Sequence, residues 1–94
     1  MVTVIWTEIA IEDLRLIQEY ISKDSKFYAD RFIEKLIKRV DQLQGFPKSG
    51  RVVPELNSEA IRELIEGNYR IIYKIYDQTN IAIIRIHHAA RQLK

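Results

Sequence analysis

Apolar positions in the first half of the chain recur every three or four residues: Ala10, Leu14, Ile17 and Ile21, then Phe32, Leu36, Val40 and Leu43. That is the period of helices with one buried face. Thr7 is placed to cap the first helix, with Glu8, Glu12 and Asp13 near the positive end of its dipole. The polar stretch from Lys23 to Lys26 separates the two helices and offers a second cap at Asp24 or Ser25. Gly45 ends the second helix and Pro47 lies just beyond it. Before the helices, Val2 to Trp6 has the length and β-branching of a strand.

The second half follows a different rhythm. Both prolines and Gly50 fall between Phe46 and Ser58, which predicts a loop. Ala60 to Ile65 predicts a strand that turns at Glu66-Gly67-Asn68. Tyr69–Tyr76 and Ile81–His88 are β-branched and apolar, and the polar Asp77-Gln78-Thr79-Asn80 joins them as a hairpin. The order β-α-α-β-β-β with short late links predicts one α+β domain over residues 1–94. Its expected form is a small antiparallel sheet with the helical hairpin on one face.

Alternation along the strands sorts their side chains. In the third strand Tyr69, Ile71, Tyr73 and Ile75 are expected to face the helices, with Arg70, Ile72 and Lys74 opposite. In the last strand Ala82, Ile84, Ile86 and His88 share one face, and Ile81, Ile83, Arg85 and His87 the other. Arg62, Arg70, Arg85 and His87 would then project together from the uncovered face.

Composition narrows the chemistry. The chain has no cysteine, which removes disulfides, thiolate nucleophiles and Cys-based zinc sites and fits a reducing compartment. No run approaches the ~18 apolar residues of a membrane span, and Met1 to Trp6 lacks the basic start of a signal peptide. A cytoplasmic protein without membrane association is expected. The net charge of +2 is small, but it is unevenly spread. Residues 1–45 carry seven bases against eight acids, and residues 46–94 carry eight against five.

A guanidinium and imidazole surface suits phosphate or an acidic partner, because Arg binds oxyanions bidentately and His moves protons near neutral pH. The competing reading pairs each Arg with Glu55, Glu59 or Glu63 on a solvated sheet face. The His87-His88 pair is not expected to bind a metal, since adjacent strand residues point to opposite faces and no Cys or acidic cluster completes a set. His88 reads as a satisfied, partly buried histidine. Arg31, Lys35, Lys38 and Arg39 line the second helix, but Asp30, Glu34 and Asp41 interrupt them, as on a solvated face. No phosphate-binding glycine loop or nucleotide fingerprint is present, and no cofactor is expected.

The whole chain resembles the RelE/ParE superfamily of toxins from bacterial and archaeal toxin–antitoxin pairs. The matching pieces are Trp6-Thr7 with Ala10 and Asp13-Leu14; Phe46-Pro47 with Gly50-Arg51 and Val53-Pro54-Glu55; Arg62-Glu63-Leu64; Tyr69-Arg70-Ile71-Ile72-Tyr73; and His88 followed by Arg91 and Leu93. The resemblance implies a growth inhibitor neutralised by a cognate antitoxin. RelE-like members cut messenger RNA on the ribosome, and ParE-like members poison DNA gyrase. In the YoeB ribonuclease branch a loop glutamate, a third-strand arginine and a terminal His-Tyr pair act without metal. Those roles carry over to Glu55, Arg70 and His87, with His88 standing in place of the tyrosine. Lys48 is the only loop lysine where RelE proper has several. The ending His-x-x-Arg-x-Leu is closer to the ParE side, and a gyrase poison is the expected activity, with a ribosome-dependent, metal-independent endoribonuclease and an inactive or purely structural homologue as the alternatives. Arg51, Arg62, Arg85, His88 and Arg91 are then expected to bind substrate or partner, as an interface rather than as catalysts.

Overall fold

In the computed structural model, which describes residues 1–90, β1 (Thr3–Trp6) leads into α1 (Glu8–Ser22) and α2 (Lys26–Asp41). β2 (Arg51–Val52), β3 (Ile61–Glu66), β4 (Tyr69–Ile75) and β5 (Asn80–His88) follow. The expected α+β class and helical hairpin are present. The expected caps are too: Thr7 accepts a hydrogen bond from the Ala10 amide, and Ser25 does the same for Tyr28. A short 3-10 turn over Gln42–Gln44 extends α2 to Gly45.

The five strands run in the order β1-β5-β4-β3-β2. The β5–β4 and β4–β3 pairings are antiparallel as expected, and an antiparallel β3–β2 pairing adds to them, but β1 lies parallel to β5, with Thr3 opposite Asn80 and Trp6 opposite Ile83, so the sheet is mixed. The helical hairpin returns the chain to its starting edge, and β5 then slots between β1 and β4. β2 falls inside the expected loop. It is only two residues long, too short for alternation to announce it. The β3–β4 hairpin closes through Gly67 at φ 58°, a left-handed turn position that glycine adopts without cost.

Leu36, Val40 and Leu43 from the helical segment pack against Ile71, Tyr73, Ile81, Ile83 and Ile86 from the sheet. Strict alternation predicts that Ile81 and Ile83 face away from the helices. They face them instead, because the β4–β5 register slips: Ile72 opposes Arg85 while Tyr73 opposes Ile83. Ile84 is the extra residue of a bulge, so both Ile83 and Ile86 reach the core.

Tyr73 ties the 46–50 loop to this core. Its hydroxyl donates to the Pro47 carbonyl at 2.8 Å and accepts from the Gly50 amide at 2.9 Å. Burial raises the pKa of that hydroxyl. Tyr73→Phe would leave a buried amide and a carbonyl without this partner. We expect a loss of about 1–3 kcal/mol in urea unfolding. An unchanged midpoint would show that the loop does not depend on the phenol.

Candidate functional site

The uncovered side of the sheet holds an ionic ladder built by three elements. Arg70 on β4 is 6% exposed despite its charge. Its Nε donates to Glu63 Oε1 at 2.5 Å, and Glu63, on β3, is itself buried. The other Glu63 oxygen accepts from Arg51 Nε on β2. The two outer nitrogens of Arg70 fork onto Glu55, with Nη1 to Oε2 at 2.6 Å and Nη2 to Oε1 at 2.8 Å. This is the bidentate arginine–carboxylate geometry that gives strong, oriented hydrogen bonds.

The backbone explains why Glu55 arrives there. Val53 is buried and its amide donates to the Ile61 carbonyl, which pins the segment to β3. The amides of Leu56 and Asn57 both return to the Val53 carbonyl, and Asn57 takes φ 48°, a left-handed value asparagine tolerates. The tight turn presents Glu55 over the Arg70 fork. The hydrogen bonds from Arg70 hold the Glu55 carboxyl far below the usual carboxylate range, at about 2, helped by its backbone and by the charge of Arg51. The carboxylates in turn raise Arg70.

His87 lies directly opposite Arg70 across the β4–β5 pair. Glu55 and Arg70 therefore occupy one region with Arg51, and His87 is the backbone neighbour of Arg70 on β5, bordering a cleft with Asp13, Tyr20, Tyr69 and Arg85. Arg62 and Arg85 do not join them. Arg62 sits opposite Tyr73, on the helix-covered face. There it donates to the Gly50 carbonyl at 3.0 Å and to Glu59 at 2.9 Å. Arg85 flanks the bulge on the part of β5 that β1 does not cover, and it donates to Asp13 of α1 at 3.0 and 3.2 Å. Hydrogen bonding to Asp13 raises Arg85. The expected gathering of Arg62, Arg70, Arg85 and His87 on one surface is thus replaced by three separate ion pairings. Arg85 finds an acid outside the Glu55, Glu59 and Glu63 set.

His88 packs edge-on against Tyr69, with ring centroids 5.3 Å apart, and its Nδ1 accepts from the Ala90 amide. It is half-buried, as expected. Arg91 lies outside the described residues. Among the described residues no cluster of three or more His, Asp or Glu is placed to hold a metal ion, and no helix is long and apolar enough to cross a membrane.

Sequence reasoning missed Asp13 as an anchor. It accepts from both Arg85 and the Ile86 amide, on the part of β5 beyond the end of the β1 pairing. A signal was available: Asp13 falls between Ala10, Leu14 and Ile17 on the inward stripe of α1. An acid in that position needs a donor.

The comparisons agree with this architecture. A family model described as the ParE toxin of the type II toxin–antitoxin system parDE matches residues 4–93. Toxin RelE2 of Caulobacter vibrioides is 37% identical over 92 residues, covering 97% of this chain and 99% of that relative. A solved chain from the chromosomal ParDE system of P. aeruginosa superposes with a TM-score of 0.75 at 22% identity, covering 94% of this chain and 96% of that one, and so shares the fold. With nearly every residue inside the family match and the β-α-α-β-β-β-β order in place, the chain belongs to the ParE toxin family of type II toxin–antitoxin systems.

Proposed function

We propose that this toxin acts by binding DNA gyrase and impairing it, rather than by cutting ribosome-bound message. The observation that carries the reading is the state of the Arg70 fork. For metal-free RNA cleavage, Arg70 would have to meet the phosphate, and Glu55 or His87 would have to move protons. In the structure both outer nitrogens of Arg70 hold Glu55. A carboxyl drawn down to about 2 is a weak base for a 2′-hydroxyl. A fork closed on its own glutamate supports a binding role for this surface over a catalytic one.

Family membership supports a cognate antitoxin as partner. The cationic second half of the chain suits an acidic one, and the cytoplasm, where gyrase works, is the proposed site of action. The test is a purified sample assayed in parallel for gyrase supercoiling and for integrity of ribosome-bound message. Impaired supercoiling with intact message is expected, with inhibition lost gradually across Arg51, Arg85 and Arg91 variants, as at an interface. Codon-position cuts with normal supercoiling would assign the ribonuclease activity instead, with Arg70 and His87 as its residues.

A further inference from the structure

We propose that the outer face of α2 binds single-stranded nucleic acid, with Phe27 and Tyr28 as base-stacking rings and Arg31, Lys35 and Lys38 as a track for the phosphates. Phe27 and Tyr28 stand in the first turn of α2 and are 63% and 69% exposed. Adjacent large rings left this open form the kind of apolar patch that marks a binding surface. Their centroids lie 5.8 Å apart with planes at 69°, and the Arg31 guanidinium sits 5.5 Å from the Phe27 centroid. They border a groove of about 750 Å³ whose apolar lining continues through Ile21 and Phe32. That lining is fixed, because both residues pack against the core and Phe32 also meets the Tyr69 ring at 5.6 Å.

Charge selects the occupant. The fold sorts the charges that alternate along α2. Asp30 is occupied by Gln18 of α1 and by Lys26. Arg39 leaves for the Ile65 carbonyl and Glu66 on β3. Arg31, Lys35 and Lys38 line the groove, with Glu34 as the one acid among its described lining residues, so three cations against one acid leave it two net positive charges. Lys35 leans toward Glu66 at 3.6 Å, yet its side chain stays 65% exposed. The basic stripe is therefore less interrupted in space than along the chain. Its three- and four-residue spacing puts one cation on each successive turn, and the line from Phe27 to Lys38 spans about 16 Å. An acidic amphipathic helix would need apolar anchors repeated along that line. Here the rings stop at Phe32, and Lys35 and Lys38 continue alone. Rings at one end and cations along the rest match a stacked base whose backbone runs on beside the helix. A duplex keeps its base faces covered, so a single strand is the form the rings select. The inference concerns binding alone and does not depend on the gyrase reading, since its test contains neither gyrase nor ribosome.

The experiment follows a fluorescein-labelled oligothymidylate by anisotropy as the whole chain is added. Parallel arms use an oligouridylate, a DNA duplex of the same length and an acidic amphipathic peptide. Single strands should bind more tightly than the duplex. Phe27→Ala combined with Tyr28→Ala should weaken single-strand binding by about 10-fold or more. Both side chains are exposed, so the fold should survive, as circular dichroism would report. Lys35→Gln combined with Lys38→Gln should flatten the fall of log affinity with log salt by about 1.4, the share of two phosphate contacts. A preference for the deoxyribose or the ribose strand identifies the sugar, and either supports the proposal. Duplex bound as tightly as single strand, or removal of the rings without effect, reduces the face to unspecific positive charge and overturns it. Failure to bind either single strand overturns it too, and a peptide bound in their place assigns the groove to an acidic helix. Ultraviolet crosslinking of the wild-type chain to oligothymidylate, mapped by mass spectrometry, should place adducts on Phe27 or Tyr28. Adducts confined to other residues overturn the proposal without any variant.

Discussion

Arg70→Ala is expected to lower the unfolding free energy by about 3 kcal/mol or more in urea denaturation. The substitution removes the guanidinium that fills the space between β3, β4 and the 53–57 turn. It also leaves the buried Glu63 with Arg51 as its remaining cation partner. Removing one member of a buried pair strands the other charge away from water, which costs more than the pair itself contributes. A change below about 1 kcal/mol would show that water enters and solvates Glu63, and that the ladder is looser than its geometry. The result bears directly on function. A loss of toxicity in Arg70→Ala reports on folding as much as on chemistry, so His87→Gln, which leaves the ladder intact, is the cleaner probe of catalysis.

Gly50→Ala should be comparably damaging. A Cβ at that position would lie 2.6 Å from the Glu63 carbonyl oxygen and 2.6 Å from the Tyr73 hydroxyl, with the Tyr73 ring carbon Cε1 at 2.8 Å. One obstacle is backbone within the sheet and the other is a buried ring, so neither yields like the tip of a surface side chain. A loss at or above the upper end of the roughly 1–3 kcal/mol typical of overpacking is expected from denaturant midpoints. Combining it with Tyr73→Phe removes one of the clashing atoms. The two losses should therefore fall short of additive by about 0.5 kcal/mol or more. Strict additivity would mean that the loop moves away from Tyr73 as a unit.

The elements legible in the sequence were those with a long, one-sided period. The Ala10–Ile17–Ile21 and Leu36–Val40–Leu43 stripes define the helical hairpin, and the two β-branched runs define β4 and β5. Facing was legible in β4 but not in β5. Ile81, Ala82, Ile83 and Ile84 are all apolar, so hydrophobicity carries no information about which of them points inward, and a bulge can sit there without a signature. The parallel pairing of β1 is a long-range choice that Val2–Trp6 alone cannot announce. At the site, the pairing of arginines with Glu55, Glu59 and Glu63 was foreseeable for Arg62 and Arg70. The capture of Arg85 by Asp13 was not, because it depends on the bulge and on the short reach of β1.

The parallel pairing of β1 with β5 sets an order of events during synthesis. Residues 3–6 leave the ribosome first, yet their strand neighbours are residues 80–83. Until those have emerged, β1 has no partner and one side of β4 is bare. Contacts between such distant parts of a chain form slowly, because closing the intervening loop opposes them. The other strands lie between residues 51 and 88, so a nascent toxin has only β1 and its helices for the first half of its translation and acquires its final surface near the end. An antitoxin already present in the cell would meet the toxin at that moment of completion, before any finished and unescorted copy had accumulated.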